Sequence, residues 1–220
     1  MEMSDYYRQF PAPVREYAAW FHAQPERGLE YTVSWRGVPA IKLPSDMWIY
    51  QELLSQLRPE CIVEFGTKFG GSALFFADML GTLNVKHGRV LTVDIDPVPY
   101  CALRQPRLQR AIGDSVSREV YEQVLSFISR SNGPVLFVED SLHTYEHVRA
   151  ELGMYCGLVT PGSYFVVEDG AMGDVLNAPL SGVATACYEF LRDHPSWCVD
   201  WSRNRLGHTS IHGGFLQRIS

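Results

Sequence analysis

The sequence predicts an α/β fold, a mainly parallel sheet with helices on both faces and a reversed last strand. Three observations predict it. Short β-prone runs alternate with helical patterns from Cys61 to Arg192, and such alternation joins strands by right-handed crossovers into a parallel sheet. The run Cys61-Ile-Val-Glu-Phe passes directly into a glycine turn and then a helix, as a cofactor loop in such a sheet does. The last two runs, Cys198–Trp201 and Phe215–Ile219, are about a dozen residues apart with no helical pattern between them, which predicts an antiparallel hairpin at one sheet edge.

Taken in order, Ala12–His22 carries Val14, Tyr17, Ala18 and Phe21 at helical spacing, and the Pro/Gly-rich piece up to Lys42 reads as loop or irregular hairpin. Residues 1–44 are thus an N-terminal extension, a lid or an interface, ahead of one domain at residues 45–220. Ser45-Asp46 is placed to cap a helix through Trp48, Ile49, Leu53 and Leu54, stopped by Pro59. Trp48 and Tyr50 on it read as core. The strand Cys61–Phe65 is apolar enough to be buried on both faces, and Gly66 ends it. Gly70 and Gly71 permit close backbone approach, and Ser72–Leu80 follows as a helix whose N-terminal amides face the same space. Strands are then expected at Arg89–Asp94, Leu108–Ile112, Pro134–Glu139 and Ser163–Glu168. The helices between and after them are Ser117–Ser129, Thr144–Tyr155 and Val183–Arg192.

Composition excludes several functions. The chain has 220 residues, 46% hydrophobic and 20% charged, enough for one well-filled core. Its net charge of −6 and lack of any basic run argue against a nucleic-acid partner. Five scattered cysteines without a Cys-x-x-Cys pair suggest reduced thiols in a cytoplasm. No apolar run approaches the roughly 20 residues that span a bilayer, and Met1–Tyr7 is unlike a signal peptide.

Ligands of an open parallel sheet bind beyond the carboxyl ends of its strands, and here those ends are acidic. Asp94 suits a ribose diol, since a carboxylate accepts both hydroxyl hydrogens; the plainer reading, with Asp96 and Pro97 beside it, is a solvated turn. Glu64 either accepts turn N–H groups or touches the ligand. Gly113-Asp114-Ser115 presents polar groups to an adenine, or caps the helix near Ser117, or both. Asp140, Glu168 and Asp169 follow neighbouring strands and can converge, and three carboxylates need a cation. Hard oxygen donors without cysteine suit Mg2+, Mn2+ or Ca2+ rather than zinc. His143, three residues past Asp140, is placed to take a proton from a hydroxyl held there. His147, one helical turn on, reads as structural.

Several blocks carry a resemblance: Gly37 to Trp48 and on to Glu52, the loop from Glu64 through Gly66, Thr67, Gly70 and Ser72, Glu-Asp140-Ser-Leu-His143, Gly162 to Asp169, and the closing Gly213-Gly-Phe-Leu-Gln-Arg-Ile. In order and spacing they resemble the cephalosporin hydroxylase and rhamnosyl O-methyltransferase family from about Tyr31 onward. The loop and the Asp140–His143 spacing are also similar to catechol O-methyltransferases. The resemblance implies the Rossmann-like class I methyltransferase sheet, seven-stranded with a reversed last strand, and metal-dependent O-methylation of a small molecule by S-adenosylmethionine. Carried over, Glu64, Gly66, Thr67 and Ser72 hold the methionine moiety, Asp94 the ribose, and Asp114 with Ser115 the adenine. Asp140, Glu168 and Asp169 hold the metal, and His143 is the general base. Leu142 departs from the polar or acidic residue many relatives have there.

The expected acceptor is a carbohydrate hydroxyl, of a mannose-type sugar or glycoside, over a catechol or an antibiotic-type product. Tyr6, Tyr7, Trp20, Trp48 and Tyr50 either wall its pocket or pack in the core or a homodimer interface, and Gly170–Gly182 forms a closing loop. Two other classes stay open. A nicotinamide oxidoreductase is disfavoured because Gly-x-Gly-x-x-Gly is lacking and Asp94 lies nearer thirty than about twenty residues past the turn. A binding protein without catalysis is the other.

Overall fold

Two short strands, β1 (Ser34–Trp35) and β2 (Val38–Pro39), pair antiparallel, and seven more form one sheet: β3 (Cys61–Phe65), β4 (Arg89–Asp94), β5 (Leu108–Ile112), β6 (Val135–Glu139), β7 (Tyr164–Val167), β8 (Trp197–Val199) and β9 (Phe215–Arg218). The structure is a computed structural model describing residues 33–96, 105–170 and 182–220. The expected helix at Ala12–His22, the aromatics Tyr6, Tyr7 and Trp20, and residues 171–181 of the expected closing loop lie outside the described residues.

The sheet order is β5-β4-β3-β6-β7-β9-β8. Strands β3 to β7 pair in parallel, and β9 runs antiparallel to both β7 and β8. The expected hairpin forms, with its second strand inserted beside β7 and its first left at the edge.

The two-residue period of the strands sends alternate side chains to opposite layers. Ile62, Val90, Leu136, Val138 and Val166 face α1 (Pro44–Leu57) and α2 (Gly71–Thr82). Val63, Phe65, Leu91, Val93, Phe137, Phe165 and Val167 face α3 (Arg118–Ile128), α4 (Tyr145–Tyr155) and α5 (Gly182–Asp193).

Helix α1 begins differently from expectation. Pro44 takes its first turn, where a missing N–H costs nothing, and Leu43 is the N-cap without a side-chain bond. Asp46 therefore caps nothing. It is fully buried and accepts the Ser210 N–H and hydroxyl at 2.9 and 2.8 Å. Ile49, Tyr50, Leu53 and Leu54 form the buried stripe, each contributing roughly 2 kcal/mol of apolar burial. Trp48 lies off that stripe, 61% exposed, with its ring N–H on Glu52 at 3.1 Å, so it is not core. Arg58 ends the helix in a left-handed conformation, its N–H returning to the Leu54 carbonyl at 2.8 Å.

Helix α2 is buried on nearly every side. The β1–β2 hairpin covers it, Trp35 meeting Phe75 edge-on at 5.0 Å and donating to Asp78 at 2.9 Å. That contact requires Gly71, where a Cβ would sit 2.2 Å from the Pro39 carbonyl oxygen. The hairpin thereby fixes the chain that follows it, including Lys42.

Candidate active site

Strand register brings the acids together. Phe65, Val93, Glu139 and Val167 stand abreast, and the backbone ladder continues one step beyond them. Gly66 N–H reaches the Val93 carbonyl at 2.8 Å, Asp140 N–H that of Phe65 at 2.9 Å, and Glu168 N–H that of Glu139 at 2.9 Å. Gly66, Asp140 and Glu168 are thus side by side, and the pleat sets Asp140 and Glu168 on the same face as Glu64, toward α1. Glu139 points the other way, toward α4.

Lys42, between β2 and α1, enters from the α1 face. Its Nζ lies 2.8 Å from Glu168 Oε1 and bonds Asp140 Oδ2, on a side chain 2% exposed. The Tyr50 hydroxyl donates to Glu168 Oε1 at 2.6 Å. Burial works against the Lys42 charge, but the carboxylates of Asp140, Glu168 and Glu64 outweigh it and hold its pKa above the ordinary lysine value. Burial likewise pushes Glu168 well above the carboxylate range against the pull of Lys42, and raises Glu64 to about 7.

Toward solvent, His143 Nε2 lies 3.1 Å from Asp169 Oδ2 and 3.7 Å from Asp140 Oδ1, its side chain one-third exposed. Asp140, His143 and Asp169 each offer a ligand atom within 4.8 Å of the others. Asp169 reaches this position with a φ of 57°, a left-handed conformation that costs a non-glycine residue free energy and is held only by its surroundings. Of the three acids expected to hold a metal, then, Asp140 is shared, Asp169 stands outside with His143, and Glu168 stands inside with Lys42.

Beside this cluster opens a cleft of about 390 Å3, lined by Gly66, Asp94, Asp114, Ser115, Asp140 and His147 among others. Asp94 accepts the N–H groups of Lys68 at 2.8 Å and Asp96 at 3.0 Å, as the turn reading expects, and also lines the cleft. Asp114 accepts the Val116 N–H at 3.0 Å. Ser117, not Asp114 or Ser115, caps α3, accepting from Val120 at 3.2 Å. The Ser115 hydroxyl faces inward, donating to Glu151 and lying 3.0 Å from His147 Nε2. Glu64, Thr67 and Ser72 are buried behind the cleft. The Thr92 hydroxyl donates to Glu64 at 2.6 Å and pairs with Thr67 at 2.7 Å.

Residues 27–219 match the family model described as Rhamnosyl O-methyltransferase/CmcI. The chain belongs to this family. A rhamnosyl O-methyltransferase of Mycobacterium leprae is 34% identical over 221 residues, 96% of this chain and 93% of its own. One from Mycobacterium bovis is 32% identical over 225 residues, 97% and 88%. Among solved structures, a CmcI with Mg and SAM has a TM-score of 0.65 at 22% identity, covering 86% of this chain and 78% of its own. The O-methyltransferase TomG of Streptomyces achromogenes, with SAM, has a TM-score of 0.55 at 18% identity, covering 90% and 89%. The chain is an S-adenosylmethionine-dependent O-methyltransferase.

The site of this rhamnosyl O-methyltransferase/CmcI family member fits that cofactor. The cleft is of ligand size, its lip carries two exposed apolar side chains, Ile95 and Leu142, suited to a base, and the Asp94 carboxylate is oriented within it. The donor set also fits a hard divalent cation, because Asp140 and Asp169 gather carboxylate oxygens beside His143 without any cysteine, and Glu168 stands next to Asp140.

Two residues escape sequence reasoning. Lys42 lies within the Gly37–Trp48 block, but nothing in the block marks it as buried. His147 reads as structural, yet it lines the cleft; its spacing of four from Glu151 is the signal, since that pair shares a helix face at 3.1 Å. The Glu151 bond raises the His147 pKa. Behind it, Ser141 bridges the buried Glu139 and Glu151 at 3.1 and 2.9 Å, and burial together with Glu151 raises Glu139 well above the carboxylate range.

Proposed function

We propose that the chain methylates a hydroxyl of a mannose-type sugar or glycoside, with Mg2+ or a similar divalent ion held at Asp140, Asp169 and Glu168 and with His143 as general base. The observation that carries this is the juxtaposition, through the shared Asp140, of a cleft that Asp94 also lines with the Asp140–His143–Asp169 cluster. The names of the relatives, rhamnosyl O-methyltransferases, support a sugar acceptor.

S-adenosylmethionine supplies an electrophilic methyl on sulfur, and the divalent ion supplies Lewis acidity that makes a hydroxyl easier to ionise. The chain supplies position and a proton acceptor. Asp94 orients the ribose, Asp114 and Ser115 border the adenine, Gly66 lets the backbone approach, and Glu64, Thr67 and Ser72 back the methionine moiety. His143, whose Nε2 lies 3.1 Å from Asp169 Oδ2, takes the hydroxyl proton on a ring nitrogen that is not already donating to that carboxylate. Glu168, bonded by Tyr50, shares the Lys42 ammonium with Asp140.

In this reading residues 1–44 are an extension that contributes Lys42, residues 45–220 are the catalytic unit, and the protein is a cytoplasmic homodimer. Support for the compartment is the free state of Cys61, Cys156, Cys187 and Cys198. No helix among the described residues is long and apolar enough to cross a membrane. The decisive experiment measures methyl transfer from labelled donor to a panel of free sugars, glycosides and catechol, with and without chelator. Expected are transfer to a sugar hydroxyl and its loss in chelator. Transfer to catechol alone, or full activity in chelator, overturns the corresponding part.

A further inference from the structure

The buried ammonium of Lys42 neither donates nor accepts a proton in the chemistry above. It commits one oxygen of each of two acids, Asp140 Oδ2 and Glu168 Oε1, to a cation that belongs to the chain itself. The backbone is bent to deliver it: Ile41, a β-branched residue, has a φ of 20°, and Pro44 starts α1 just beyond. Tyr50 holds the same Glu168 oxygen from α1. The acid cluster is therefore divided. An inner half is filled by a tethered ammonium, while an outer half, Asp140 with His143 and Asp169, gathers toward solvent.

We propose that Lys42 is a positioning residue that sets the divalent-cation affinity of this site. It fixes Asp140 and Glu168 in the resting protein and, as a permanent positive charge beside the ion's position, keeps that ion weakly held and exchangeable. The inference rests on the reading of Asp140 and Asp169 as cation ligands. Two effects of removing the charge act in one direction. Repulsion between the ammonium and the incoming ion disappears, and Asp140 Oδ2 becomes free to turn toward the ion, while Glu168 Oε1 keeps its bond from Tyr50.

Lys42→Met keeps the apolar stem and removes the charge. With Mn2+ as the probe, followed by the electron paramagnetic resonance of the free ion, the dissociation constant should fall at least ~10-fold below wild type, a conservative share of the Coulomb term at an effective dielectric of ~20. Lys42→Arg, which keeps the charge, should stay within about 3-fold of wild type. If Lys42→Met does not fold, Lys42→Gln carries the same comparison. Equal or weaker Mn2+ binding by the uncharged variant overturns the proposal, as does absence of binding in both proteins. Failure of the functional reading looks different: wild type binds Mn2+ and the variant binds it more tightly, yet methyl transfer proceeds unchanged in chelator.

Discussion

Gly66→Ala tests whether the glycine turn holds Asp140 in place. Gly66 has a φ of 93°, and a Cβ there would lie 1.8 Å from the Asp140 carbonyl oxygen, 2.5 Å from its carbon and 3.1 Å from Ser141 Cα. Ordinary contact begins at 3.4 Å, so the Asp140 backbone must retreat by about 1.6 Å. The Asp140 N–H bond to Phe65, at 2.9 Å, opposes that retreat. A positive φ costs alanine ~1–2 kcal/mol, and weakening this bond adds ~1 kcal/mol. A loss of ~2–3 kcal/mol leaves a chain of this size folded with a Tm lower by ~5–10 °C. Turnover should suffer more, because misplacing a positioning group by about 1 Å costs ~100-fold. Scanning calorimetry gives the Tm, and initial rates with labelled donor, corrected for folded fraction, give the turnover. Turnover within 2-fold of wild type in the folded variant would refute the claim that this turn positions Asp140.

Two further predictions use other residues. His143→Ala should leave S-adenosylhomocysteine binding and Tm close to wild type, since the side chain is one-third exposed, while turnover falls ~100- to 10,000-fold; calorimetric titration and initial rates check this, and undiminished turnover removes His143 as the base. Asp46, raised by burial from 3.8 to about 6, retains its proton in the folded chain at pH values where the unfolded chain has released it. Its contribution to stability is therefore complete below pH 3.8 and is lost as pH rises through about 6, a change of ~3 kcal/mol. Relative to wild type, Asp46→Asn should gain about that much in unfolding free energy at pH 8 over pH 4 by denaturant titration, and parallel pH profiles would refute it.

What is legible in the sequence is what strand geometry alone determines. Asp94, Asp140 and Glu168 end apolar runs, and parallel register places such ends abreast whatever the side chains do. The pleat period also separates Asp140 from Glu139. It fails at Asp169, whose left-handed backbone sets its carboxylate beside His143. Local signals mislead where a distant partner wins. Ser45-Asp46 looks like a cap, but Pro44 already occupies the first turn, and Asp46 is drawn to Ser210, 164 residues away. Trp48 shares a helix with the core residues yet misses their stripe by one position.

Lys42 is the sharpest case of this kind. A lysine in a Pro/Gly-rich piece carries no periodicity to mark it as buried, and lysine is ordinarily the most exposed of residues. Its partner Asp140 is 98 positions away, just past the end of β6. Charge counting reaches it where motif reading does not. Burying several carboxyl groups at adjacent strand ends is costly without a cation, and a divalent ion that exchanges with solvent cannot stabilise them while it is away. A resident positive charge is then required by the same electrostatics that make the site attractive to the ion, and the chain next to those strand ends has to supply it. That requirement is what makes Lys42 a determinant of affinity rather than only a structural salt bridge: the group that stabilises the empty site is the group the ion must coexist with.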